Sequence, residues 1–138
     1  MPALFRPYNH FGAMVARGAW ISTPRLILVT AAYAFDPAHT EFAQVSPHVI
    51  APSAAHPIGG PAVAAAIDAA GLKAAKVAFA NLTAAFRSAV VYADATVGGI
   101  AKPVLFQFVP DDTADQVFTA TSVDIAWHAD GVCTIAVT

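Results

Sequence analysis

The histidines His10, His39, His48, His56 and His128 are the side chains of this chain best suited to metal or acid–base chemistry. A zinc centre needs ligands at short, regular spacing, such as two histidines one helical turn apart or paired cysteines. None of the five forms a His-x-x-x-His pair, and Cys133 is the lone cysteine. His39 reads as part of a turn after Asp36, and His128 as a residue of a hairpin turn. Asp111, Asp112 and Asp115 place three carboxylates close together, but a calcium loop also needs alternation, a glycine and a terminal glutamate. A solvated turn is the simpler reading. Nucleophilic catalysis would require a Ser, Thr or Cys held by a base. Ser22, Ser46, Ser53, Ser88 and Ser122 stand in no Gly-x-Ser-x-Gly elbow. Gly59-Gly60 and Gly98-Gly99 lack the Gly-Lys-Ser/Thr or helix start of a phosphate loop. The sequence therefore nominates no catalytic, cofactor-binding or metal-binding residue and no cofactor, and the expectation is a protein that is not an enzyme.

With no chemistry to position, the elements must serve packing. A chain of 138 residues is one domain by length and can bury ~68–70% of the surface its unfolded form exposes. Charged residues are 12% of it and hydrophobic ones 57%, against about 25% and about 45–50% in ordinary soluble domains. Such scarcity of charge suits a permanently assembled subunit, because obligate interfaces are more apolar than free surfaces. The seven basic residues are scattered at positions 6, 17, 25, 73, 76, 87 and 102. No basic patch forms, which argues against direct nucleic-acid binding. The opening Met-Pro-Ala-Leu-Phe-Arg-Pro lacks the order of a secretory signal, and no apolar stretch approaches the ~20 residues of a membrane span. The expected site is the cytoplasm or an assembly built there, with no membrane partner.

Tyr8, Phe11, Met14 and Val15 recur at helical spacing, and Gly18 follows as a stop, so a short amphipathic helix is expected within 8–19. The run Leu26-Ile-Leu-Val29, opened by Pro24 and Arg25, predicts a strand over 26–30 that is buried on both faces. Asp36-Pro37 is a helix-start signal in which Asp caps and Pro fills the first position. The prolines at 47, 52, 57 and 61 predict a stiff extended segment, with a short strand at 48–51. By local propensity the alanine-rich stretch 62–80 would be helical. Further strands are expected at 88–93, 104–109, 122–127 and 132–137, bounded by turns at Gly98-Gly99, at 110–112 and at 128–131. Cys133 then reads as a small apolar residue of the last strand. This spacing predicts a mainly β fold, a small antiparallel β-sandwich or barrel-like domain with a short N-terminal helix. The expected core is Leu26, Leu28, Val77, Phe79, Val91, Leu105, Ile125, Trp127 and Ile135, with Trp20 also in core or interface.

The order of these markers resembles small virion structural proteins of tailed bacteriophages. A tryptophan (Trp20), an apolar strand (26–29), the step Thr30-Ala-Ala-Tyr33 and a short Asp-Pro-Ala-His turn (36–39) lead to an aromatic at Phe42. Val77-Ala-Phe79, Ala89-Val-Val-Tyr92, Val104-Leu-Phe106 and Val123-Asp-Ile-Ala-Trp127 follow in the same sequence. The resemblance implies strands, rather than a helix, at 62–67 and 76–79, separated by a turn at Ala70-Gly71. It also implies a capsid decoration or cement protein on the virion surface, binding the major capsid protein and copies of itself. Tail-tube, neck and head-fibre-base components are the alternative roles, and an all-β cytoplasmic binding module a more distant one. The segments 1–7 and 43–61, poor in alternation, are expected to be extended arms reaching other subunits.

Overall fold

The computed structural model describes residues 4–19, 22–50, 56–57, 62–63, 72–73, 77–110, 114–127 and 133–137. Along these run strands β1 (Leu4–Pro7), β2 (Pro24–Val29), β3 (His56–Pro57), β4 (Ala62–Val63), β5 (Leu72–Lys73) and β6 (Val77–Phe86). They continue as β7 (Ser88–Ala93), β8 (Thr96–Val97), β9 (Ile100–Ala101), β10 (Val104–Val109), β11 (Gln116–Trp127) and β12 (Cys133–Val137), and helix α1 (Phe11–Ala16) follows β1. The fold is mainly β. A five-stranded sheet has the order β1-β10-β7-β2-β3, a three-stranded sheet the order β12-β11-β6, and β4-β5 and β8-β9 form two small ladders. Every pairing is antiparallel.

The five-stranded sheet is buried on both faces, as the near-continuous apolar runs of β2, β7 and β10 require. Alternate residues divide between two cores. Leu26, Leu28, Ala89, Val91, Phe106 and Phe108 face the three-stranded sheet and meet Phe79, Leu82, Phe86 and Val123, with Met14 of α1 closing one side. Ile27, Val29, Val90, Tyr92 and Val104 face the other way and meet Tyr8, Tyr33 and Val45. In β10 the pairing steps from Val104↔Tyr92 to Phe106↔Val91. The extra residue, Leu105, is a bulge that lets Val104 and Phe106 serve opposite cores.

The second core is covered by the irregular segment 30–50. Thr30 N–H donates to His48 O, Ile50 N–H to Leu28 O and Val104 N–H to Thr40 O, which moors this layer along the sheet. Phe42 stacks on Tyr92 with ring centroids 4.3 Å apart. Two single-turn 3-10 helices, Phe42–Gln44 and Ser46–His48, shape it. Backbone N–H groups of Thr40 and Glu41 both donate to the Gln44 side-chain oxygen.

Two expectations are corrected here. Asp36-Pro37 opens a turn and not a helix: the Asp36 carboxylate accepts from Ala38 N–H and its carbonyl from His39 N–H. An Asx-type turn satisfies the same donors that a helix N-terminus would offer, so the residue signal is shared by both. The segments expected to be arms also behave differently where they are described. Leu4–Pro7 is a sheet strand paired along β10, and His56–Pro57 pairs with Arg25 and Leu26. Val45 is completely buried, and Val49 bridges Val29. Edge strands can be short, proline-bearing and weakly alternating because only one side is paired. Residues 43–50 belong to the layer that covers the second core, and positions 1–3, 51–55 and 58–61 lie outside the described residues.

The short strand expected at 48–51 is also absent where it is described, since His48 ends a 3-10 helix and Val49 makes only an isolated bridge to Val29. Several other expectations of local structure stand. Helix α1 falls within 8–19, and Gly18 takes φ 89° beyond its end. β10 occupies 104–109 and β7 88–93, as the sequence predicts. Gly98 and Gly99, at φ 58° and 80°, form the two-residue hairpin between β8 and β9. Two strands run longer than expected: β6 extends to Phe86, and β11 begins at Gln116. Leu26, Leu28, Phe79, Val91 and Leu105 are buried as the core list requires. The side chains of Val77, Ile125, Trp127, Ile135 and Cys133, and all of Trp20, the Ala70-Gly71 turn and residues 128–131, lie outside what the structure describes.

Candidate binding pocket

Where β1 and β10 run past the covering layer, a pocket of about 230 Å³ opens, lined by Arg6, Tyr33, Phe35, Arg87, Gln107 and Val109 together with Ala31 and Ala34. Its floor follows from strand register. Arg6 pairs with Gln107 across the β1/β10 ladder, and directly paired residues of an antiparallel ladder share a face. Tyr33 and Phe35 come from the covering layer, and Arg87 from the corner between β6 and β7, where its N–H donates to Val29 O.

Gln107 and Ser88 are buried polar residues, 4% and 1% exposed. The Gln107 amide nitrogen donates to Ser88 Oγ at 2.9 Å, while its Oε1 is buried without a hydrogen-bond partner. An orphaned buried amide atom costs about 1–3 kcal/mol, and Gln107 lies in the wall of the pocket. The two arginines differ in their holding. Arg87 Nε donates to Asp115 Oδ1 at 2.8 Å. Arg6 lies over the Phe35 ring at 5.8 Å from its centroid and pairs with no carboxylate among the described residues.

Behind the Tyr33 wall is a polar chain. Tyr8 Oη and Tyr33 Oη are 2.6 Å apart, and Tyr33 Oη is 3.0 Å from His39 Nδ1. Burial pushes the Tyr8 phenol far above its ordinary pKa and the Tyr33 hydrogen bond adds to this; burial also raises Tyr33. Both phenols stay protonated, and the chain acts as a clamp between the start of α1 and the covering layer.

The residues weighed from sequence are mostly absorbed by structure. His39 sits in the turn after Asp36, its Nε2 3.9 Å from Asp36 Oδ2. His10 Nε2 bonds Val104 O at 2.7 Å, while its Nδ1 is buried without a partner. His48 lies beside the Tyr33 ring. Ser22 Oγ donates to Gly18 O, Ser46 Oγ to Ala43 O, and Ser88 meets Gln107. Asp115 pairs with Arg87. Asp111, Asp112, Ser53, Gly59, Gly60 and His128 lie outside the described residues. No group of three or more potential metal ligands occurs among the described residues. The residues that line the pocket, Arg6, Arg87 and Gln107, carried no signal in the sequence. They are spread over more than a hundred positions, and only the sheet register brings them together.

Among the described residues no helix is long and apolar enough to cross a membrane. No family model, curated protein or solved structure matches the chain.

Proposed function

We propose that this chain is a structural subunit of a tailed-bacteriophage particle, a decoration or cement protein that binds the outer surface of the major capsid protein lattice and works by burying surface rather than by catalysis. The observation that carries the reading is the joint order of the sequence markers, from the Trp20 region to Val123-Asp-Ile-Ala-Trp127. The scarcity of charge, 12% of residues, supports it as the composition of a surface meant to be covered. A small subunit touching two or more capsomers turns several weak contacts into one firm attachment, and so braces the shell against packaged DNA.

The test mixes the purified protein with particles assembled without it and follows sedimentation. Saturable retention on DNA-free heads, at a ratio matching a lattice position, is the expected result. Retention on isolated tails alone would move the role to the tail-tube, neck or fibre-base alternatives, and a protein that stays in the supernatant at every ratio would overturn the virion reading.

A further inference from the structure

We infer that the pocket at the β1/β10 corner of the five-stranded sheet is a binding site for a single carboxylate group. This goes beyond the proposed structural role, and its test needs no particle.

Size limits the occupant first. About 230 Å³ is below the ~300–1,000 Å³ of pockets for drug-sized ligands, so one small functional group fits. Charge selects the sign. Arg6 and Arg87 both line the space, and Arg6 has no carboxylate partner among the described residues. Arg6 Cζ lies 5.8 Å from the Phe35 ring centroid, a cation–π contact that leaves guanidinium N–H groups available to a planar anion.

Gln107 supplies the third recognition element. Its amide is 96% buried, lines the pocket and leaves one polar atom without a partner. The Ser88 hydroxyl can donate or accept, so it satisfies the Gln107 amide in either orientation. With the amide turned over, Oε1 accepts from Ser88 and the NH₂ group takes the buried position of the orphaned oxygen, as a donor within the pocket wall. Guanidinium edges and one amide N–H then suit the two coplanar oxygens of a carboxylate. A carboxylate is the smallest anion that uses both donors, one oxygen for the Arg6 guanidinium and one for the amide N–H. The carboxylate could come from a free small acid or from an acidic side chain of another protein chain.

The experiment is an NMR titration of the full chain, following the Gln107 side-chain amide and the Arg6 Nε–H, with sodium acetate against sodium chloride at equal ionic strength. Saturating shifts confined to the pocket are expected with acetate only. Arg6→Gln should weaken binding at least tenfold and Arg6→Lys less, while Arg17→Gln, which removes the same charge elsewhere, should leave it unchanged. The spectrum of each variant reports its folding, and Arg6→Lys preserves the test if Arg6→Gln does not fold. A second arm uses the peptide acetyl-Gly-Glu-Gly-amide: binding of both probes supports a protein-borne carboxylate, and binding of acetate alone supports a free acid. Absent shifts, equal shifts with chloride, phosphate binding as tightly as acetate, or equal losses in Arg6→Gln and Arg17→Gln would overturn the assignment.

Discussion

Tyr8 and Tyr33, twenty-five residues apart, share a buried hydrogen bond of 2.6 Å between their hydroxyls. Tyr33 also contacts His39 Nδ1 at 3.0 Å, so the two phenols are not equivalent. Removing the Tyr8 hydroxyl leaves Tyr33 bonded to His39, and Tyr8→Phe should cost about 1 kcal/mol. Tyr33→Phe orphans the buried Tyr8 hydroxyl and should cost about 2 kcal/mol or more. Urea denaturation of both variants checks the order, and a larger loss in Tyr8→Phe would contradict it.

Alkaline pH should destabilise the fold through the same groups. Burial raises Tyr8, Tyr33 and Tyr92, with the Tyr33 hydrogen bond adding at Tyr8 and the nearby Asp94 carboxylate adding at Tyr92. These are all the tyrosines of the chain. Below about pH 10 every phenol is neutral in both states, and their contribution is fully present. Above it the unfolded chain releases protons that the fold retains, so stability falls by about 1.4 kcal/mol per pH unit for Tyr8, and more steeply with the other two. Phenolate absorbance should therefore appear together with unfolding. A gradual titration near pH 10 with the fold intact would show these phenols to be solvated.

Phe106 is fully buried between the two sheets and meets Phe11 edge to face. Phe106→Ala should cost ~3–5 kcal/mol. Val117 is 69% exposed, and Val117→Thr should change stability by less than about 0.5 kcal/mol. Thermal or urea unfolding of the pair measures the contrast.

At the β8/β9 hairpin, Gly98→Ala and Gly99→Ala should each cost ~1–2 kcal/mol, since both positions have positive φ. The Gly99 change should be the worse, because its φ of 80° lies beyond the left-handed region that Gly98, at 58°, occupies. A Cβ at Gly98 would meet the end of the flexible Arg17 side chain, which can move aside.

Deleting residues 1–7 removes β1 and uncovers the β10 edge. The expected outcome is a lower urea midpoint and self-association, because an unpaired central strand is a template for other chains. An unchanged midpoint would restore the reading of this segment as an extended arm that reaches other subunits.

What could be read from the sequence follows how strongly each segment encodes its own partners. β2, β7 and β10 are continuous apolar, β-branched runs and announce themselves. β6 is expected only at 76–79, and there from the resemblance rather than from local propensity; its continuation is rich in weak strand formers, Ala80, Asn81, Ala84 and Ala85, held by pairing with β11. β11 in turn carries a register shift between Phe118 and Thr121, where Ala120 takes φ 45° and donates to Thr83 Oγ1 at 2.8 Å. No local pattern encodes such a cross-strand contact. The pocket was invisible for the same reason: Arg6 meets Gln107 through register, and Phe35 reaches Arg6 only because the covering layer folds over the sheet.

The central claim, a subunit of the virion shell, is tested most directly by an image reconstruction of the native particle beside one assembled without this chain. The expected difference is density for the five-stranded and three-stranded sheets at symmetry-related positions on the outer capsid surface. Identical shells in the two reconstructions, with no such density anywhere on the particle, would contradict it.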